Sequence, residues 1–102
     1  MKKMSCKRMI YFAKQTSITL DFFCGEYELD NICARWNERF KVFVAGLEEL
    51  DGSEGEMSGY FEDFRQQCVN QMAELDELCD ANPGNSHIWA FRGEITHFLI
   101  NS

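Results

Sequence analysis

Two long segments of this chain place apolar residues at every third or fourth position, which is the spacing of one face of an α-helix. In residues 28–50 and again in 59–81, charged and amide side chains fill the positions between them. An apolar stripe of this kind must be buried against another element, so the two segments predict helices packed in an all-α domain. The first stripe consists of Leu29, Ile32, Cys33, Trp36, Phe40, Phe43, Val44 and Leu47, and the second of Phe61, Phe64, Cys68, Met72, Leu75 and Cys79.

The segment DGSEGEMSG, residues 51–59, predicts a loop between these two helices because glycine and serine neither pack nor favour helix. Ser58 is then the expected N-cap of the second helix, with Glu62 and Asp63 in its favourable first turn. Pro83 and Gly84 suit the centre of a tight turn and should end that helix.

The two ends of the chain have weaker patterns. Residues 87–100 favour a helix, although the β-branched residues there leave a strand open. The N-terminal third favours a helix ending near Gly25, but the alternation in SITLDFF, residues 17–23, leaves a partly extended segment open. With short connections between four helices, we expect one domain, residues 1–102, folded as a small antiparallel four-helix bundle.

Charge is distributed as a gradient along the chain. Residues 1–20 contain five basic residues and no acid, whereas residues 42–91 contain eleven acids and the single base Arg65. Affinity for nucleic acid comes largely from lysine and arginine contacts to phosphates, so this acidic body argues against direct binding of DNA or RNA. A basic protein is the partner that such a surface favours.

The acids at the end of the second helix stand where the helix dipole already presents partial negative charge, and we interpret them as kept for a partner. A chain of this size cannot easily bury nine phenylalanines, three tyrosines and two tryptophans, so some aromatics, Phe22 among them, should be exposed beside the acids. The residues predicted to bind a partner are Glu48, Glu49, Asp51, Glu54, Glu56, Glu62, Asp63, Glu74, Asp76, Glu77, Asp80, Tyr60 and Trp89.

In size and charge the chain is similar to small acidic inhibitors, such as immunity proteins and phage anti-defence proteins, without sharing a motif with them. We therefore expect an inhibitor that docks on a basic nuclease or another nucleic-acid-binding enzyme or defence complex, acting as a monomer or weak homodimer. The alternative is a homodimeric structural or adaptor bundle that associates through the stripe of Trp36, Phe40 and Phe43. On the inhibitor hypothesis, amides at Glu74 and its acidic neighbours should weaken binding and leave folding intact or improved.

No residues form a recognisable catalytic or cofactor motif, so we expect no enzyme activity and no cofactor. His87 and His97 lie too far apart on one helix to share a metal, and a site built with Cys79 lacks ligand spacing. Five cysteines without close pairing indicate free thiols in a reducing compartment, and hence the cytoplasm. No apolar run approaches the length of a membrane helix, so we expect a soluble protein without membrane contact.

Overall fold

A computed structural model describes residues 4–102, and these residues fold into four α-helices with no strand among them. The helices are α1 (Cys6–Glu26), α2 (Asn31–Glu49), α3 (Glu54–Ala81) and α4 (Ser86–Asn101). Short connections between successive helices make each one antiparallel to the next, which confirms the predicted all-α bundle. Lys2 and Lys3, part of the predicted basic end, lie outside the described residues.

Helix α1 runs without interruption through SITLDFF, so the extended alternative for residues 17–23 is wrong. The helix buries Met9, Ala13 and Leu20 against the other helices, with exposed fractions of 3% or less. Ile18 and Phe22, which created the alternation, point to solvent instead. The tertiary burial of one helical face therefore overrides the local preference for a strand.

Helix α3 begins five residues earlier than predicted, at Glu54, and the loop assigned to residues 51–59 shrinks to a short turn. Met57 explains the difference, because its fully buried side chain anchors the first turn to the core. Glu54 and Glu56 also favour a helix start, because their negative charges are attracted to the positive end of the helix dipole. Ser58 is consequently inside the helix and is not its N-cap.

Helix α4 is capped by Asn85, whose side chain accepts hydrogen bonds from the backbone N–H groups of His87 and Ile88. Its apolar face, which includes Phe91 and Phe98, is fully buried. The predicted helix in residues 87–100 is therefore confirmed, and burial of this face offsets the low helix propensity of the β-branched residues.

Aromatic rings fill the centre of the bundle. Phe43 stacks on Phe64 with ring centroids 3.8 Å apart, and Phe98 lies within 6.3 Å of both rings and 5.2 Å from Phe40. Edge-to-face and stacked pairs of this kind add roughly 0.5–1.5 kcal/mol each to the stability gained from burial alone. Trp36, Phe40 and Phe43 are almost completely buried inside one chain, so a dimer cannot form through this stripe without opening the core.

Helix α3 has 28 residues and α4 has 16, so α4 packs along only part of α3. Arg65 on α3 donates hydrogen bonds to the carbonyl of Leu99 and to the Ser102 hydroxyl, which places the end of α4 level with Arg65. The first two turns of α3, residues 54–60, therefore extend beyond α4. That overhang lies at one end of a body measuring 43 × 25 × 17 Å.

Candidate protein-docking surface

The eleven acids predicted to bind a partner fall into two groups in the structure. Four of them have a basic partner within 4.0 Å: Glu48, Glu62, Glu74 and Asp76. The other seven have no ion pair among the described residues: Glu49, Asp51, Glu54, Glu56, Asp63, Glu77 and Asp80. The acids are therefore not one uniform surface.

Glu74 belongs to the packing of α3 on α2. Its carboxylate accepts a hydrogen bond from the indole N–H of buried Trp36 at 3.0 Å and pairs with Arg35 at 3.2 Å and Arg39 at 4.0 Å. The Arg39 guanidinium in turn lies 5.0 Å from the centre of the Trp36 ring. Two arginines of α2 therefore balance the charge of Glu74 within the chain, and its role in partner binding stays a prediction.

Asp76 is likewise part of the fold, since it pairs with Arg92 across α3 and α4. Among residues 4–102, Glu77 and Asp80 are the two acids at this end of α3 that are exposed and have no ion pair. Amide substitutions at Glu74 and Asp76 would therefore remove contacts between helices and would not leave folding unaffected. Glu77 and Asp80 are the positions where charge can be removed at this end without loss of a described contact.

The turn between α2 and α3 carries the densest negative charge that has no ion pair among residues 4–102. Glu49, Asp51, Glu54 and Glu56 are all exposed within eight positions of the chain. Their neighbour Glu48 pairs with Lys14 of α1 at 3.5 Å, but both side chains are half exposed, so this pair contributes little. We call Glu49, Asp51, Glu54 and Glu56 the acidic turn.

A groove of about 600 Å³ lies between α2 and α3, and its lining residue Tyr60 is about one helical turn along α3 from Glu56 of the acidic turn. Its floor is aromatic, formed by Phe43 and Phe64 of the core together with Tyr60. Its remaining lining residues are Arg35, Glu38, Arg39, Val42, Asp63 and Gln67. Val42 is 60% exposed, so an apolar side chain borders this groove where solvent can reach it.

Tyr60 reaches across the groove because α2 has a glycine opposite it. The Tyr60 ring stacks against Phe43 at 5.5 Å, and a Cβ added to Gly46 would lie only 2.6 Å from the Tyr60 Cζ atom. Tyr60 is half-buried for this reason, whereas the aromatic load of the sequence suggested that it was exposed. It can contact a partner only through the part of its ring that lines the groove.

The charged side chains at the groove, counted together with Glu74, carry a small excess of negative charge. Both of the groove's arginines, Arg35 and Arg39, lie within 4.0 Å of Glu74. Glu38 and Asp63 have no ion pair among residues 4–102 and remain available. With the acidic turn next to it, the groove combines an apolar floor with a negative rim, as at interfaces where an anchor residue is surrounded by charge.

Two predicted aromatic features lie elsewhere. Trp89 is 41% exposed, and its indole N–H donates to the carbonyl of Asn82, so it covers the α3–α4 turn at the end of the bundle opposite the acidic turn. Phe22 is 59% exposed, as expected, on the outer face of α1. The structure therefore does not bring Trp89 or Phe22 together with the acidic turn.

The sequence reasoning missed the groove and the role of Glu38 and Val42 in it. In the sequence both residues occupy exposed positions of α2. They line the groove only because α3 packs beside α2. A faint signal was present in Gly46, because a glycine inside a helix is often kept where another element comes close.

The three buried cysteines lack the lowered pKa of a reactive thiol. Burial raises the pKa of the Cys33 and Cys68 thiols to about 12 and also raises the pKa of Cys79, so these groups are protonated and unreactive at neutral pH. All five cysteines are free. His87 stacks on Tyr27 with ring centroids 3.7 Å apart, and no cluster of metal-binding side chains occurs within the described part of the chain.

Comparison of the chain with protein-family models, with curated proteins and with solved structures finds no match. None of the helices that the structure describes combines the length and the apolar composition needed to cross a bilayer. The assignment of a function therefore depends on the geometry of the groove and the acidic turn.

Proposed function

We propose that this protein is a non-enzymatic, protein-binding inhibitor that docks on a basic nucleic-acid-processing enzyme or defence complex. The observation that carries the proposal is the open groove with an aromatic floor, followed along α3 by an acidic turn whose charges have no ion pair in the described part of the chain. An apolar side chain of the partner enters the groove over Phe43, Tyr60 and Phe64, and lysines or arginines around it meet the acidic turn, Glu38 and Asp63. The free cysteines support action in the cytoplasm.

The two parts of this surface have different tasks. Exposed charges steer encounter and raise the association rate, with an effect that salt screens. The apolar anchor is shielded from solvent in the complex and sets how slowly the complex dissociates. An enzyme that binds nucleic acid presents the required basic surface, and covering that surface blocks its substrate.

The test compares two charge variants that remove the same number of negative charges. The first replaces Glu54 and Glu56 of the acidic turn by glutamine. The matched control replaces Glu77 by glutamine and Asp80 by asparagine, two acids that the sequence predicted to bind a partner but that lie at the far end of α3, outside the surface proposed here. We expect wild type to capture, from its native host, a basic nucleic-acid-processing enzyme and to block its activity stoichiometrically. We also expect the turn variant alone to associate more slowly and with a weaker salt dependence.

Val42→Asp tests the groove separately. A carboxylate at its edge should speed dissociation with little effect on the association rate, because it disrupts the apolar contact and preserves the negative rim. The proposal is wrong if the two charge variants behave alike, or if the captured protein is acidic or keeps its activity when saturated.

A further inference from the structure

The outer face of α1 carries a second apolar surface, separate from the groove. Tyr11, Ile18 and Phe22 are 65%, 57% and 59% exposed, although the opposite face of the same helix is buried in the core. The outer face of a bundle helix is ordinarily polar. Three large apolar side chains on one exposed face therefore call for a partner.

These residues belong to a regular stripe. Its exposed members follow one another at alternating steps of three and four, the 3.5-residue spacing at which two helices remain in contact along their length. The stripe consists of Arg8, Tyr11, Gln15, Ile18, Phe22 and Gly25. A partner for it is therefore a helix lying nearly parallel or antiparallel to α1.

The charges beside the stripe determine which helix fits. Lys7 and Arg8 are in the first turn of α1 and Glu26 is in the last, which is the reverse of what the helix dipole favours. None of the three has an ion pair among the described residues. A helix with acids level with Lys7 and bases level with Glu26 would pair with the charges at both ends of α1. A second copy of α1 in the antiparallel direction has this charge order.

We propose that α1 is a self-association surface on which two copies of the chain pair as antiparallel helices. With the two-fold axis midway between Thr16 and Ser17, Tyr11 lies opposite Phe22 of the second copy, and Lys7 lies opposite Glu26 of the second copy. Each pair occurs twice by symmetry. A membrane surface fits less well, because anionic lipid would attract Lys7 and Arg8 but repel the unpaired Glu26 at the other end of the same face.

This surface differs from the Trp36, Phe40 and Phe43 stripe, which is buried inside each chain. The groove between α2 and α3 is left uncovered, so a dimer would present two docking surfaces. An interface formed by one helix from each copy is small, which places it among weak, reversible dimers.

Sedimentation equilibrium over a range of protein concentrations, in reducing buffer because Cys6 and Cys24 are partly exposed, tests the proposal. We expect wild type to dimerise and Phe22→Asp to raise the dissociation constant at least tenfold, with an unchanged circular dichroism spectrum. Val42→Asp introduces the same charge at an equally exposed site on α2 and should leave the dimer intact. Its separate effect on partner binding keeps the two surfaces distinguishable.

A charge exchange tests the register. Lys7→Glu should weaken the dimer, and adding Glu26→Lys in the same chain should restore it, because every Lys–Glu pair is rebuilt in reverse. A wild-type chain that stays monomeric at all concentrations overturns the proposal. So does equal weakening by Val42→Asp, failure of the charge exchange to restore the dimer, or a monomer that binds anionic vesicles through Phe22.

Discussion

Replacing Gly46 by alanine tests how Tyr60 is held over the groove, because the same substitution has two opposing effects on stability. Alanine is a better helix former than glycine, which favours folding by roughly 0.5–1 kcal/mol inside a helix. The new methyl group, however, would lie 2.6 Å from the Tyr60 Cζ atom, so the ring must move.

The cost of moving Tyr60 is the larger effect. The ring would give up its stacking on Phe43, worth about 0.5–1.5 kcal/mol for an aromatic pair. It would also expose part of the apolar surface that half-burial now shields, which costs about 1 kcal/mol more. Gly46→Ala should therefore lower the free energy of unfolding by about 1 kcal/mol, a fall in Tm of about 4–8 °C for a domain near this size.

Two further variants serve as controls when the free energy of unfolding is measured in urea or on heating by circular dichroism. In a Tyr60→Ala background the obstruction is gone, so Gly46→Ala should stabilise the protein by roughly 0.5–1 kcal/mol. Gly59→Ala, at an exposed helical glycine whose added Cβ meets nothing within 4 Å, should stabilise by a similar amount. If Gly46→Ala alone is as stabilising as Gly59→Ala, Tyr60 does not pack over Gly46 and the described shape of the groove is wrong.

Three more predictions concern a hydrogen bond between helices, an ion pair between helices and the buried cysteines. Glu74→Ala should destabilise by about 1–3 kcal/mol in urea titrations, because it leaves a buried indole N–H without an acceptor, whereas Glu74→Gln keeps an acceptor and should cost less than half as much. Lys41 on α2 donates a hydrogen bond to Asp21 at 2.8 Å and lowers the pKa of this carboxyl. The stability that wild type has over Asp21→Asn should therefore persist at neutral pH and disappear as pH falls below the usual Asp pKa of 3.8. Iodoacetamide at neutral pH should label Cys33 and Cys68 in the unfolded chain and leave them unmodified in the native one, as mass spectrometry would show; native labelling would contradict their burial.

Periodicity predicted the helices well wherever one face had to be buried. It located α2 to within a few residues at each end, because Trp36, Phe40 and Leu47 leave no other way to share one face. It missed the first turns of α3 because a composition of glycine, serine and acid is typical of loops. The burial of Met57 outweighed that composition, and this burial is not visible until the helix is packed. Once the helix starts at Glu54, Glu54 and Glu56 favour that start because they lie at the positive end of its dipole.

The candidate site was harder to predict because it depends on how the helices are rotated against one another. Glu74 and Arg35 are 39 positions apart in the chain, and nothing in a single sequence indicates that they meet. The charges of the acidic turn could be recognised, since no base lies close to them in the chain. The groove could not, because its lining residue Tyr60 is positioned by packing against Gly46 and Phe43, and the sequence does not show that packing.

The unequal lengths of α3 and α4 have a consequence for the acidic turn. Residues 54–56 precede the buried anchor Met57, are all exposed and have no α4 beside them, so fewer contacts must break for them to unwind than for the same helix further along. Their amide protons should therefore exchange with solvent through local fraying, at a lower free energy than global unfolding requires. Glu54 and Glu56 can thus adjust to the contour of a bound surface while Met57 and the aromatic centre of the bundle stay packed.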